Sequence, residues 1–165
     1  MYVDDVVIRS ATDADVERIG QLWEELVEFH WILDKELPRS SSDGAKLYAR
    51  RISDRIDDDH TRILVAEIDE VIIGFTLGVI VDLVAEMFMP DIGGFLADIY
   101  VQDGHRKRGV GRKLVESLAQ WFRESGVTFI ELSVAHRNTE ARAFWNALGG
   151  RDLMVRMRLP LKFEQ

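Results

Sequence analysis

The basic segment from His105 to Lys113 is the part of the sequence whose residue types point most directly to chemistry. It contains no acidic residue, although the whole chain has 29 acidic and 21 basic ones. Its bases lie where a helical apolar period begins, and a helix N-terminus normally favours acidic side chains because its dipole is already positive. Gly109 and Gly111 allow a ligand to approach the backbone, whose free N–H groups can donate to phosphate oxygens. The segment therefore predicts an anion-binding loop.

This segment differs from two other phosphate-binding patterns. The dinucleotide fingerprint requires three glycines directly after a strand, and the segment has two. The loop of NTPases ends in Gly-Lys followed by Ser or Thr, an ending that is absent here. An unrelated nucleotide-binding domain stays open as an alternative, and it predicts that ATP or NAD binds.

Asp98 interrupts an otherwise apolar strand that is predicted from Gly94 to Val101. A side-chain period of two puts Leu96, Asp98 and Tyr100 on one face of that strand. A carboxylate in this place is expected either to act on a substrate or to be used structurally, by pairing with an arginine or capping a backbone group.

The composition of the chain excludes several classes of function. Its 165 residues and 47% hydrophobic content fit a single domain, which we place at residues 1–165. The absence of cysteine removes disulfides, thiolate zinc sites and cysteine nucleophiles, and no metal is expected. A net charge of -8 argues against nucleic acid as a partner. Without a signal peptide or a run of about 20 apolar residues, the protein is expected to be cytoplasmic, with no membrane partner.

Hydrophobic periodicity predicts the element order β-α-α-β-β-β-α-β-α-β. Helices are predicted at about residues 12–29, 44–56, 109–125 and 139–148. The strands at 62–68 and 71–81 should form a hairpin around Asp69-Glu70. The strand, helix and strand from Gly94 to Ala135 imply a parallel pair. The fold class is therefore α/β, or α+β with a mixed central sheet, and includes about four helices.

Two further segments, the C-terminal one and residues 82–93, contain several apolar side chains that we expect to be buried. Leu153, Val155, Met157 and Leu159 alternate with polar or longer side chains, which predicts a closing strand with one buried face. A homodimer through the final strands is expected. The stretch 82–93 contains Met87, Phe88 and Met89, which we expect to pack in the core rather than to line a substrate pocket.

The sequence around the basic segment resembles a motif of a known family. The run from Ile99 to Gly111 is similar to the acetyl-CoA binding motif of the Gcn5-related N-acetyltransferases (GNAT), whose core is Gln/Arg-x-x-Gly-x-Gly/Ala and is formed here by Arg106, Gly109 and Gly111. A second motif also fits, with Asn138 and Ala141 followed by Phe144-Trp145 and Leu148-Gly149. The resemblance extends over nearly the whole chain and implies the acyl-CoA N-acyltransferase fold.

The resemblance implies an enzyme that transfers an acetyl group from acetyl-CoA to a primary amine of a small molecule or peptide. Amides of the loop from Arg106 to Arg112 would bind the pyrophosphate, and the backbone of β-strand residues near Tyr100 would pair with the pantetheine arm. Asn138 would contact the pantetheine, and Trp145 would lie beside the thiol. The implied coenzyme-binding residues are Ile99, Tyr100, Val101, Arg106, Lys107, Arg108, Gly109, Val110, Gly111, Arg112, Asn138 and Trp145. Asn138 also fits an ordinary helix N-cap.

Acyl transfer to an amine needs a base, because an alkylamine with a pKa of about 10.4 is protonated at neutral pH. Asp98 is the candidate base, acting directly or through water. Many family members have a tyrosine where this chain has Trp145, and that tyrosine protonates the departing thiolate. Tyr100 or water is the candidate replacement here. A binding module that has lost catalysis stays open, with Trp145 as its argument.

The acceptor amine is not encoded in any motif. The acidic residues Asp82, Glu86 and Asp91 could attract a cationic acceptor, although loop solvation is the better-supported expectation.

Overall fold

The computed structural model describes residues 5–161, so residues 1–4 and 162–165 of the predicted domain lie outside the described residues. Within that range the chain forms four helices and five strands. The strands are β1 (Val7–Ser10), β2 (Thr61–Ile68), β3 (Val71–Asp82), β4 (Ile92–Val101) and β5 (Ile130–Leu132). The helices are α1 (Val16–Leu33), α2 (Gly44–Ser53), α3 (Val110–Glu124) and α4 (Thr139–Ala147).

The five strands make one mixed sheet in the order β1-β2-β3-β4-β5. The first three neighbouring pairs are antiparallel, and β4 and β5 are parallel, with α3 between them in the chain. The predicted mixed sheet with about four helices is confirmed. Helix α1 continues four residues beyond the predicted Phe29, while α2 stops at Ser53, earlier than predicted.

The chain divides into two compact units. Residues up to Ser133 form the first, which contains the whole sheet and α1 to α3, and residues from Val134 form the second, which contains α4. The single domain expected from the sequence stays a prediction.

The hairpin of β2 and β3 turns at Asp69 and Glu70, as the sequence predicts. Both residues have a left-handed backbone, with φ of 47° and 63°. Two positive φ angles in a two-residue turn match the right-handed twist of the flanking strands. β3 is the central strand of the sheet, and its residues from Gly74 to Asp82 pair with β4.

A bulge in β4 changes which residues of that strand share a face. Leu77 of β3 pairs with Asp98, but the next residue, Gly78, pairs with Leu96, so Ala97 is extra. Leu96 therefore lies on the face of Gly78, and Asp98 lies on the face of Leu77. The predicted common face of Leu96 and Asp98 is wrong, because one inserted residue inverts the alternation of a strand.

The two faces of the sheet bind different helices. One face packs against α1 and α2, in a core that includes Ile19, Leu22 and Ile52 from the helices with Phe75 and Leu77 from β3. The other face packs against α3. A Cβ at Gly78 or Gly94 would approach the ring of Phe122 to within 3 Å. These two glycines therefore allow α3 to lie close to the sheet.

The predicted closing strand is wrong. Residues 150–161 contain neither helix nor strand, and their apolar side chains are exposed, by 68% for Leu153 and 88% for Met157. Alternation of apolar side chains indicates that one face of a strand can be buried. A strand also needs a neighbouring strand whose backbone forms hydrogen bonds with its N–H and C=O groups. In the described part of the chain, the sheet ends at β5.

The expected burial of the apolar side chains in residues 82–93 is also wrong. Met87, Phe88 and Met89 are all exposed. Asp82 organises this segment, because its Oδ1 accepts hydrogen bonds from the backbone N–H groups of Val84 and Asp91. The segment is thus a loop closed by its own hydrogen bonds.

Among the described residues, no helix has the length and apolarity needed to cross a membrane. The cytoplasmic location expected from the sequence stays a prediction.

Candidate active site

The outer edge of β4 becomes open at the bulge. The parallel register of β4 with β5 runs from Gly94 to Leu96, whereas β4 itself continues to Val101. From Ala97 onward, the described residues provide no strand on that side of β4. An open strand edge presents backbone N–H and C=O groups, to which an extended ligand can pair. The predicted coenzyme contacts Ile99, Tyr100 and Val101 all lie on this open stretch.

The basic loop joins β4 to α3 through an irregular turn. A single 3-10 turn at Asp103–His105 is followed by Lys107 and Gly109, whose φ angles of 59° and 81° are left-handed. Gly109 is the N-cap residue of α3, so the amides of Val110 and Gly111 lie in its first turn. First-turn amides have no acceptor within the helix and can donate to an anion.

Arg106 uses its side chain within the protein. Its Nε donates to the carbonyl oxygen of Val101 at 2.8 Å, and its guanidinium lies over the rings of Phe29 and Tyr100, at 4.7 and 5.1 Å from their centroids. Asp103 lies 3.6 Å from the same guanidinium. Arg106 therefore connects the end of β4 to α1 and to the loop. Because its guanidinium is occupied in this way, a phosphate would be bound by the backbone amides of the loop rather than by Arg106.

Asp98 lies half-buried on the face that packs against α1 and α2. Its Oδ2 accepts a hydrogen bond of 2.8 Å from the hydroxyl of Tyr48 in α2, and its backbone carbonyl oxygen accepts one of 3.0 Å from the hydroxyl of Thr76. Burial raises the pKa of the Asp98 carboxyl, while the Tyr48 hydrogen bond and the positive charges of Arg51 and His30 oppose that rise. The net direction is upward, toward the range of a general base.

Tyr100 lies on the same face, two residues further along β4. Its hydroxyl donates to Oε2 of Glu25 in α1 at 3.3 Å, and Gln102 donates to the same carboxylate. Burial raises the pKa of the Tyr100 phenol, an effect that nearby Arg106 opposes and Glu25 reinforces. At neutral pH Tyr100 is therefore a neutral phenol that retains its proton.

A cavity of about 650 Å³ lies between α1 and the end of β4. Phe29, Ile32 and Tyr100 provide its apolar wall, and Glu24 and Glu28 are exposed carboxylates along its helical side. Arg18 and Arg106 contribute positive charge, but Glu25 is already close to Arg18, at 3.8 Å. The carboxylates without such a pairing are thus those of Glu24 and Glu28, which favour a cation.

Asn138 and Trp145 belong to the second unit. Asn138 is the N-cap of α4, and its Oδ1 accepts a hydrogen bond of 3.0 Å from the amide of Ala141. The ordinary capping role considered for Asn138 is therefore confirmed, and its contact with pantetheine stays a prediction. Trp145 packs edge-on against Phe144, with ring centroids 5.0 Å apart.

The family of the chain follows from comparison with known proteins. A model of the Acetyltransferase (GNAT) family matches residues 23–149, which include α1 from Trp23 onward, the sheet from β2 onward, the basic loop and α4. The chain belongs to the GNAT acetyltransferase family. Members of this family use acetyl-CoA and act on amine acceptors.

Curated relatives match a shorter part of this GNAT protein. A thialysine N-epsilon-acetyltransferase from Bos taurus is 34% identical over 59 residues, and its counterpart from Sus scrofa matches equally. The match covers 36% of this chain and 35% of either relative, so the chain matches about a third of their length.

Solved structures share the fold over nearly the whole chain. A variant of the BH1408 protein from Bacillus halodurans is 26% identical, with a TM-score of 0.85 over 94% of this chain and 99% of that one. The aminoglycoside 6'-N-acetyltransferase AAC(6')-IG from Acinetobacter haemolyticus is 19% identical, with a TM-score of 0.72 over 96% and 99% of the two chains. At that identity the second likeness shows the fold alone.

Three side chains that surround the predicted site residues are not among those predicted from the sequence. Tyr48 and His30 act on Asp98, and Glu25 binds Tyr100. His30 does continue the apolar stripe of α1, four residues after Leu26, and Tyr48 lies four residues before Ile52 in α2. A polar group on a buried helical stripe is the signal that could have identified them.

No group of three or more potential metal-ligating side chains occurs among the residues that the structure describes. The basic loop itself fits a coenzyme pyrophosphate, since it combines left-handed residues, first-turn amides and a run of basic side chains.

Replacing Gly109 tests the loop. Gly109→Ala and the control Gly126→Ala both place a Cβ on a left-handed residue, at φ of 81° and 80°, at opposite ends of α3. Each should lose about 1 to 2 kcal/mol of unfolding free energy from backbone strain. Only Gly109→Ala should also lose the stabilisation by acetyl-CoA, which in the wild type is about 2.7 kcal/mol at 100 times the dissociation constant.

The measurement is thermal unfolding with acetyl-CoA, CoA, ATP and NAD in parallel. Stabilisation by ATP or NAD but not by the CoA compounds would contradict the assignment of the basic loop to the pyrophosphate of CoA. Equal stabilisation of both glycine variants by acetyl-CoA would contradict a role for the loop backbone.

Proposed function

We propose that the protein is an N-acetyltransferase that transfers an acetyl group from acetyl-CoA to a primary amine of a small molecule or peptide. The observation that carries this proposal is the position of Asp98. The bulge at Ala97 turns the Asp98 carboxylate to the face that also carries Tyr100, which lines the cavity, at the point where the outer edge of β4 opens. A base and an open strand edge therefore occur together.

The coenzyme would bind along that edge. Its pyrophosphate would accept from the amides at the start of α3, and its pantetheine arm, which contains two amide groups, would pair with the backbone of Ile99, Tyr100 and Val101. The positive charges of Lys107, Arg108 and Arg112 would add a favourable field for the phosphates. Family membership supports the coenzyme, and the open edge supports its course.

The reaction would proceed by direct attack. The neutral amine nitrogen forms a bond with the thioester carbonyl carbon, the carbon–sulfur bond breaks, and CoA leaves as a thiolate. Asp98 takes the proton that the amine loses, directly or through water. A thiolate whose conjugate acid has a pKa of about 8.5 is a tolerable leaving group, so its protonation by Tyr100 or water can follow. Trp145 has no hydroxyl for this step.

A cationic amine is the acceptor that the cavity favours. Glu24 and Glu28 lie along α1 with exposed carboxylates, while Phe29 and Tyr100 offer apolar contact for a carbon chain. The similar proteins from Bos taurus and Sus scrofa are named for acetylation of the epsilon amine of thialysine. We therefore propose an acceptor with a second positive charge beyond the reacting amine.

A second candidate function is an acyl-CoA-binding module with weakened catalysis. Its argument is Trp145, which stands where many family members have the acid tyrosine. Release of CoA with any amine would exclude this alternative.

Asp98→Asn tests the proposed reaction. The substitution keeps the shape of the side chain and removes the base, so kcat/KM for CoA release should fall by about 10² to 10⁴. Stabilisation by acetyl-CoA should be unchanged, because Asp98 is not assigned to coenzyme binding. In the wild type, activity should decline as the pH falls through the raised pKa of Asp98, where the base becomes protonated.

The assay follows thiol release with a panel of polyamines, amino acids and aminoglycosides. Asp69→Asn is the matched control, because Asp69 is exposed at the hairpin turn and far from the site in the chain. Full activity of Asp98→Asn would show that Asp98 is not the base. No thiol release from the wild type with any amine would favour the binding module.

Glu28→Gln tests the cationic acceptor. Loss of one exposed carboxylate should raise KM for a doubly charged amine by about threefold, as expected for a screened charge pair. KM for acetyl-CoA should stay the same. Glu17→Gln is the control, since Glu17 is exposed on the same helix and does not line the cavity. An equal rise in KM for both variants would argue against the cavity as the acceptor site.

We also propose that a second copy of the chain covers the exposed apolar residues near the C-terminus, in keeping with the expected homodimer. This proposal is supported by the exposure of five apolar side chains in one short segment, because exposed apolar groups are typical of an interface. They are Leu153, Val155, Met157, Leu159 and Leu161. Met157→Glu should shift the protein from dimer to monomer in light scattering, whereas Met87→Glu, in the exposed loop, should not. A monomeric wild type would rule the dimer out.

A further inference from the structure

Tyr48 carries a buried hydroxyl that the proposed reaction does not yet use. The residue lies in α2, is only 7% exposed, and donates its hydroxyl proton to Oδ2 of Asp98 at 2.8 Å. The contact joins residues 50 positions apart in the chain. A phenol buried at such a contact fills a hydrophobic position with its ring and a polar one with its hydroxyl.

We propose that Tyr48 is a positioning residue that holds the Asp98 carboxylate ionised and oriented for proton removal from the acceptor amine. This inference rests on the proposed function. It assigns Tyr48 no contact with substrate or coenzyme, because its effect passes through Asp98.

The ring of Tyr48 is fixed on both sides. Trp23 of α1 stacks on it, with centroids 4.8 Å apart and planes 10° from parallel, and Phe75 of β3 meets it edge-on at 6.1 Å. Both neighbours are part of the core on the sheet face that carries Asp98. A ring held in this way cannot turn its hydroxyl away without disturbing α1 and β3, so the donor stays directed at the carboxylate.

One oxygen of the carboxylate in turn is held by Tyr48, which donates to Oδ2. The Thr76 hydroxyl donates to the backbone carbonyl oxygen of Asp98 and so fixes the strand at this residue. Among residues 5–161, the Oδ1 atom of Asp98 has no hydrogen-bond donor. One oxygen is therefore anchored, and the other is left to receive a proton from the amine or from a water.

The hydrogen bond from Tyr48 affects the pKa of Asp98, together with burial and the nearby charges. Burial favours the neutral acid, and the Tyr48 hydrogen bond is the largest of the effects that lower the pKa of Asp98 again. Arg51 of α2 and His30 of α1 act in the same direction through their charges. Burial also lowers the pKa of His30, so its positive charge is lost at a lower pH than that of an ordinary histidine. Thr76 of β3 is uncharged, so the anion depends chiefly on Tyr48.

Tyr48 itself remains a neutral donor over the working pH range. Burial and the nearby Asp98 charge both raise the pKa of its phenol, against the weaker opposing charges of Arg51 and Arg55. The phenol therefore keeps its proton, and a hydrogen bond donated to a carboxylate favours the charged form of that carboxylate.

Tyr48→Phe tests the inference, because phenylalanine keeps the stacked ring and removes only the hydroxyl. The pKa of Asp98 should then rise further, and the acidic limb of the pH profile of kcat/KM should move to higher pH. Below that limb kcat/KM should fall by about tenfold, the size expected for a lost hydrogen bond to a charged group. KM for acetyl-CoA should not change.

A second measurement separates this inference from the proposed function. The carboxyl carbon of Asp98 is titrated by NMR in the wild type, in Tyr48→Phe and in Tyr100→Phe, which requires no catalysis. Tyr100→Phe is the matched control, since it removes a phenol hydroxyl that binds Glu25 rather than Asp98.

A rise in the Asp98 titration point in Tyr48→Phe alone is the expected result. An unchanged titration point in Tyr48→Phe, or an equal rise in both variants, would overturn the role of Tyr48. Absence of thiol release by the wild type would instead overturn the proposed reaction, whatever the NMR titration shows.

Discussion

Ala97 is an extra residue in the register of β3 and β4, and the position of this one residue governs where the polar groups of β4 point. Before it, Leu96 faces α3, and after it, Asp98 and Tyr100 face α1 and α2. The same place marks the end of pairing with β5. A bulge both inverts the alternation and bends the strand, so one local irregularity turns a carboxylate inward and opens an edge.

Once Asp98 faces the helices, its charge is set by competition between burial and hydrogen bonding. Burial alone would make the acid neutral and useless as a base, whereas full exposure would leave it a weak one. The Tyr48 hydroxyl, fixed by Trp23 and Phe75, offsets part of the burial effect. The packing of α2 on the sheet is therefore connected to the chemistry proposed for β4.

In the basic loop, the side chain of Arg106 and the backbone amides have different roles. Arg106 matches the first position of the family motif, yet its guanidinium binds the Val101 carbonyl and lies over Phe29 and Tyr100. The side chain thus supports the loop rather than facing a phosphate. Binding is left to amides at the start of α3, which a left-handed Gly109 presents without steric strain.

The sequence by itself determined the elements whose signals are local. Glycines and bases at 105–113 indicated the loop, Asp69-Glu70 indicated the hairpin, and helical periods located α1 to α4, because each of these patterns acts over a few neighbouring residues. Only the tertiary structure decided the bulge at Ala97, the Tyr48–Asp98 hydrogen bond and the exposure of residues 150–161. The bulge depends on pairing with β3, the hydrogen bond joins residues 50 positions apart, and the exposure reflects a missing neighbour strand. Side-chain alternation indicates that a strand has two different faces, but it does not indicate which element will cover either face.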